Sequence, residues 1–189
     1  LLLNKKGTKL IWAVPAKNKI TVPDSVTSIA DNALKAGKAT SVYLGKKVKM
    51  IGKDAIAGKK ITKVSIAKKN KSIAKQGQCV YEKKSGKLLI AIAKKNVVKI
   101  GNKVKLISED ASLCGSRQLK KLDIGASVKT LQGAWGEFYR AGYVTTKVYF
   151  RSKNPPKLTQ NNDKNYCYLP IFRDVYVPKA SLKKYKKWY

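Results

Sequence analysis

Catalysis by proton transfer or nucleophilic attack needs a constellation of side chains, and this sequence offers few members for one. It contains no histidine, which removes Ser-His-Asp and Cys-His arrangements. Ten carboxylates stand against 42 Lys and Arg. Asp24, Asp31, Asp54, Glu109 and Asp110 fall at turns or in first helical turns, where capping accounts for them. A glycosidase-type carboxylate pair would have to be drawn from Asp123, Glu137, Asp163 and Asp174. Gly52 to Gly58-Lys59-Lys60 approaches a phosphate-binding loop. Its spacing is one residue too long and no Ser or Thr follows the Lys, so it fails that pattern. Cys79, Cys114 and Cys167 form no C-x-x-C pair, and without His they make no zinc site. They read as buried or half-buried thiols, with one disulfide left open. No enzyme activity, metal or cofactor is expected.

Binding is the better use of this composition. The net charge is +32, and only Arg117, Arg140, Arg151 and Arg173 contribute guanidinium groups to it. Arginine reads phosphate and guanine through bidentate contacts, whereas lysine is a hydrated point charge. The lysine excess therefore argues first for solubility and second for attraction to polyanions. Hydrophobic residues make up 43%, enough for a packed core rather than a disordered chain. The longest apolar run is of the type Leu88 to Ala93, far below the roughly 18 residues of a membrane span. Leu1-Leu2-Leu3-Asn4 lacks the n-region and cleavage site of a signal peptide, so a targeting segment is not expected within this chain.

Whatever positions these residues must be repetitive, because the chain repeats itself. Shifted by 78 residues, Lys5, Lys6, Lys9, Leu10, Ala13, Lys17, Asn18, Val26, Ile29, Ala33 and Gly37 meet identical residues without a gap. A shorter period lies inside: Val22, Val26, Ile29, Ala33 and Leu34 return 22 residues later as Leu44, Val48, Ile51, Ala55 and Ile56. Ile100, Val104 and Ile107 return 24 residues later as Ile124, Val128 and Leu131. A period in the low twenties is that of a solenoid with one leading strand per coil. Each unit opens on an apolar-x-apolar strand, such as Ile20-Thr21-Val22 or Leu122-Asp123-Ile124. A turn with Pro23, Gly45 or Gly101 follows, then a second inward pair such as Val26 and Ile29. A short helical turn such as Asp31 to Lys35 completes the unit. Two β-hairpins, around Lys5-Lys6-Gly7 and Lys83-Lys84-Ser85-Gly86, should protrude or cover an edge.

Alternation along each strand turns the two apolar residues inward and the middle one outward. The outward residues are Thr21, Tyr43, Ser65, Lys99, Asp123, Tyr149 and Tyr176. Lys19, Lys63, Lys121 and Lys147 precede their strands. In register these form a ladder with about 4.8 Å per step, rings and ammonium groups interleaved. Such a face suits sugar rings and anionic groups; equally, tyrosine favours strands and lysine keeps a sheet soluble. The candidate binding residues are therefore Tyr43, Ser65, Lys99, Asp123, Tyr149, Tyr176, Lys63, Lys121 and Lys147. Trp135 and Phe138 read as core. Trp188, with Tyr185 and Leu182, reads as a cap on the last coil.

Thr21-Val22-Pro23-Asp24-Ser25-Val26-Thr27-Ser28-Ile29-Ala30-Asp31-Asn32-Ala33-Leu34 is very similar to the unit of the BspA-like leucine-rich repeat family. That unit runs strand, Pro, "SVTSIG", "AF", then Gly-Cys. Cys114 sits near the Cys slot, the hairpins resemble the family's recurrent interruptions, and 151–189 resembles its closing segments. The "AF" Phe is replaced by Leu34, Ile56 or Ser112, and the Gly after the inner Ile by Ala30 or Ser108, though Gly52 keeps it. The resemblance implies one α/β repeat solenoid over 1–189, a leucine-rich-repeat-type right-handed superhelix, strand-rich with short helical turns and two inserted β-hairpins. Its expected parts are a first hairpin (1–19), repeats (20–78), a second hairpin (79–96), repeats (97–150) and capping repeats (151–189). It also implies an extracellular or cell-surface bacterial protein with an adhesion role. The partner would be a host protein, a glycan or an anionic wall polymer, with no specific nucleic acid expected. Non-specific binding of polyanions such as nucleic acid through the basic surface is the alternative. Asn70-Lys71-Ser72 matches a glycosylation sequon, which means little in a bacterial chain.

Overall fold

The computed structural model describes residues 1–14, 18–34, 38–58, 60–116, 118–133, 147–159, 172 and 174–188. Trp135, Phe138, Glu137, Asp163 and Cys167 lie outside them. The chain opens on β1 (Leu2–Leu3) and β2 (Lys9–Trp12), an antiparallel pair. It then winds through β3 (Lys19–Thr21), β4 (Ser28–Ile29), β5 (Ser41–Leu44), β6 (Met50–Ile51) and β7 (Lys63–Ile66). A three-stranded antiparallel unit follows: β8 (Ile73–Gln76), β9 (Cys79–Glu82) and β10 (Leu88–Ile92). Winding resumes through β11 (Val97–Ile100), β12 (Leu106–Ser108), β13 (Ser112–Cys114), β14 (Lys121–Ile124), β15 (Thr130–Gln132), β16 (Lys147–Phe150), β17 (Lys157–Thr159) and β18 (Asp174–Tyr176). A 3₁₀ turn at Lys179–Ser181 leads into helix α1 (Leu182–Trp188). The result is a strand-rich β-solenoid with little helix. No helix among the described residues is long and apolar enough to cross a membrane.

Stacking of like segments builds parallel sheets. The leading strands form β3-β5-β7 in the first half and β11-β14-β16-β18 in the second. The second inward pairs form β2-β4-β6 and β12-β15-β17. Four coils turn the corner between them alike: Val26 donates its N–H to Pro23 O, Val48 to Gly45 O, Val104 to Gly101 O and Val128 to Gly125 O. That corner sets how closely coils approach. A Cβ on Gly45 would sit 2.5 Å from Pro23 O, and one on Gly125 2.6 Å from Ile100 O, both backbone atoms of the preceding coil. Gly45→Ala and Gly125→Ala should each cost about 1–3 kcal/mol by prising two coils apart. Gly58→Ala, whose Cβ would find only Ile61 Cδ1 at 3.9 Å, should be near neutral, and urea unfolding of the three variants checks the contrast.

Two expectations change. The segment from Asp31 is a hydrogen-bonded turn rather than a helical one. Asn32 has φ 55° and its counterpart Asp54 φ 51°, and a left-handed residue ends any right-handed helix. The hairpins also do more than protrude. The second strand of each is a rung of the coil stack: β2 pairs with β4 in parallel, and β10 with β13.

The second hairpin also joins the halves. β13 carries β10 on one side and a bridge to Gly58 on the other. Cys114 Sγ donates to Ile56 O, and Ile56 N–H to Ser112 Oγ at 3.4 Å. β10 is buried along its whole length. Leu89, Ile90 and Ile92 enter the first half's core, while Leu88, Ala91 and Ala93 enter the second's. A strand covered on both sides reads as an unbroken apolar run rather than an alternation, which is why Leu88 to Ala93 is the longest such run.

Candidate functional site

Register places the outward residues in two groups rather than one ladder. Thr21, Tyr43 and Ser65 are neighbours on β3, β5 and β7, with Lys19 and Lys63 at the strand starts. Lys99, Asp123, Tyr149 and Tyr176 are neighbours on β11, β14, β16 and β18. Beside that row runs a second, Val97-Lys121-Lys147-Asp174. The break has a physical cause: the antiparallel unit β8–β9 lies between β7 and β11. The Gln78 amide occupies the β11 edge, donating to Val97 O at 2.7 Å and accepting Lys99 N–H at 2.8 Å. A side-chain amide there does what a neighbouring peptide would do.

The second group is the more organised. Tyr149 and Tyr176 stack with centroids 4.4 Å apart and planes 8° from parallel, as directly opposed aromatic residues on adjacent strands do. Lys121 Nζ lies 4.3 Å from the Tyr149 centroid and the Arg151 guanidinium carbon 5.0 Å, within cation–π range. Tyr149 is thus occupied by its neighbours. Tyr176, 40% exposed, is the ring that offers a surface. A cleft of about 240 Å³ lined by Tyr149, Arg151, Tyr176 and Pro178 adjoins it. In the first group, Lys19 Nζ stands 5.9 Å from the Tyr43 centroid, a looser contact.

Arg151 belongs to the same outward face although the apolar-x-apolar pattern did not include it, and period two carries the signal. It follows Tyr149 by two positions and so shares its face. It grips Asp123 through two of its three nitrogens: Nε donates to Oδ1 and Nη2 to Oδ2, each at 2.7 Å. This fork holds the Asp123 carboxyl below the usual carboxylate range; partial burial opposes it, and Lys121 and Lys99 add to it. Asp123 is therefore a charge partner within the face. A carboxylate whose folded pKa is depressed contributes stability above its ordinary pKa and loses it as pH falls through the folded value. Asp123→Asn should therefore flatten the fall in stability below about pH 4. At neutral pH it should cost roughly 1 kcal/mol. Urea midpoints across an acid series would show a wild-type slope that the variant lacks.

Among the described residues, Asp24, Asp31 and Cys79 are committed to structure. Asp24 Oδ1 accepts Lys46 N–H and Asp31 Oδ1 accepts Lys53 N–H, both at 2.8 Å. These carboxylates cap the following coil, 22 residues on, rather than their own turn. The N–H of Lys46 holds Asp24 below its usual range. Burial pushes the Cys79 thiol up to about 11, which leaves it protonated at neutral pH. Among the described residues no group of three His, Cys, Asp or Glu is placed to hold a metal.

Among curated proteins none matches this chain. In the crystal structure of a leucine rich cell surface protein from Faecalibacterium prausnitzii A2-165, the aligned residues are 15% identical with a TM-score of 0.38. The alignment covers 86% of this chain and 54% of that one, so this chain spans about half that protein's length. The family model of the BspA type leucine rich repeat region matches residues 13–135 in six copies. The chain belongs to that family.

Proposed function

We propose that this chain is a non-enzymatic recognition module displayed outside a bacterial cell, and that the outward face of β11-β14-β16-β18 is its binding surface for an anionic glycan or wall polymer. The observation that carries this reading is the Tyr149–Tyr176 stack set among Lys121, Lys147 and Arg151. A ring plate beside fixed cations suits a sugar that bears carboxylate or phosphate. Within that surface the roles divide. Tyr176 meets the sugar ring, Tyr149 supports Tyr176 from beneath, and Lys99, Lys121 and Lys147 meet the anions. Asp123 holds Arg151 in place. Tyr43, Ser65 and Lys63 form a smaller, separate patch of the same character. Display at the cell surface is the setting that family membership supports.

The test is binding of the purified chain to an anionic wall polymer and to duplex DNA across a salt series. Tyr176→Ala should weaken polymer binding about tenfold, the equivalent of ~1.4 kcal/mol, and leave DNA binding unchanged. Wild type and variant binding both polymers alike, and releasing both together at moderate salt, would reduce the surface to generic charge.

A further inference from the structure

The outward sheet of the first half ends at β7. On its β5 side, Lys63 and Ala67 donate their N–H groups to Thr40 O and Leu44 O. Peptide groups along a parallel strand alternate between its two edges, so those of Val64 and Ile66 point the other way. They face a cleft of about 380 Å³ between β7 and β8, lined by Lys63, Lys68, Lys75 and Lys83 and, among the described residues, by no Asp or Glu. Val64 O accepts Lys75 Nζ at 2.8 Å. The ammonium group therefore stands where the N–H of an added strand would stand.

The facing edge of β11 is treated differently. Gln78 both donates and accepts there, which satisfies that edge in both senses. Lysine has donors only, so Lys75 satisfies a β7 carbonyl and nothing that the β7 N–H groups require. Asn70, the cleft's other polar side chain of reach, is spent on Gly45 O, Val48 O and the N–H groups of Ser72 and Ile73.

We propose that this cleft captures an extended acidic peptide, which adds to β7 as a further parallel or antiparallel strand while its carboxylates pair with Lys63, Lys68, Lys75 and Lys83. Main-chain bonds to an open sheet edge supply affinity in this mode, and alternate side chains supply selectivity. The incoming N–H replaces Lys75 on Val64 O, and the freed ammonium takes a carboxylate. Burial, then Lys94 and Lys63, holds the Lys75 pKa down, a deficit that an arriving carboxylate removes. Acidic side chains are selected because four lysines line the cleft with no carboxylate beside them among the described residues, Lys83 being held by Asn70 O at 2.7 Å. The inference stands apart from the Tyr149–Tyr176 surface, which lies on the other half.

The probe is a fluorescein-labelled peptide of alternating Glu and Val, roughly six residues long as a typical strand is. Its partner probe carries N-methyl groups at alternate backbone positions, made in both phases, which keeps every charge and removes the donors along one edge of the strand. By anisotropy, the unmethylated peptide should bind at least about tenfold tighter than one of the methylated forms, and Lys75→Ala should weaken it several-fold. Hydrogen exchange at Val64 and Ile66 should slow when the peptide is present. Tyr176→Ala should leave this binding intact, which separates it from the polymer surface. Equal binding of the unmethylated peptide and both methylated forms, or unchanged exchange at Val64 and Ile66, would overturn strand addition and leave a basic cleft with no main-chain role.

Discussion

Replacing Tyr185 by alanine is expected to lower the unfolding free energy by about 4 kcal/mol, within the usual range for losing a buried large aromatic side chain. Tyr185 is 4% exposed and holds α1 against the last coils of the second half. Its ring lies 5.5 Å from Phe150 and 5.6 Å from Trp188, and Phe150 meets Trp188 edge-on at 5.4 Å. These three rings close the end of a core that would otherwise face water. The hydroxyl reaches Ser152 O at 3.1 Å and Asn154 O at 3.3 Å, so the helix is pinned to the segment after β16 by a polar contact as well. Tyr185→Phe removes only that contact and should cost about 1 kcal/mol. Burial pushes the Tyr185 phenol up to about 12. An ultraviolet titration should therefore show a tyrosine ionising well above the ordinary phenol range, and Tyr185→Phe should remove it. A solenoid whose end were closed by the strands alone would tolerate Tyr185→Ala with a loss below about 1 kcal/mol.

The core of this fold was legible because a solenoid writes it periodically. Val22, Val26, Ile29 and Ala33 and their counterparts one coil later are all buried, and each was visible as an apolar residue returning at a fixed interval. What escaped lies where the period is interrupted. Nothing in the repeat says that Gln78 will lend its amide to β11, because the edge it serves exists only once β8 and β9 are in place. The expected single ladder divided for the same reason. The short helical turn failed on one backbone angle: Asn32 and Asp54 occupy the left-handed region, and Asn and Asp are among the few residues that do so readily. Tyr185 is buried and Trp188 packs against the second half's core, whereas Leu182, expected beside them, is 48% exposed and lines an apolar cleft with Val175 and Val177. In a helix of seven residues Leu182, Tyr185 and Trp188 form one stripe about a third of the circumference wide, and Leu182 falls at the solvent edge of it.

Asn70→Ala should cost about 3 kcal/mol, the second large effect, and for a reason opposite to that of Tyr185. Asn70 belongs to a glycosylation-like triplet, yet it is 3% exposed and no enzyme could reach it in the folded chain. Its Nδ2 donates to Gly45 O at 3.0 Å and Val48 O at 2.9 Å, the two carbonyls of the preceding coil's corner. Its Oδ1 accepts Ser72 N–H at 2.9 Å and Ile73 N–H at 3.0 Å. One amide therefore fills two donor and two acceptor roles between consecutive segments. Its loss strands several buried backbone groups at about 1–3 kcal/mol for each that finds no water. The second half solves the same problem more weakly. Ser127 Oγ reaches Gly101 O at 3.4 Å and Val104 O at 2.9 Å, the same two corner positions, but from a half-buried hydroxyl with one proton to give. Ser127→Ala should cost about 1 kcal/mol. Asn70→Asp should be at least as damaging as Asn70→Ala, since it turns a donor against two carbonyl oxygens into a buried charge. Equilibrium urea unfolding of the three variants checks the order. If Asn70→Ala cost no more than Ser127→Ala, water would be filling the corner, and the amide would not be what joins those coils.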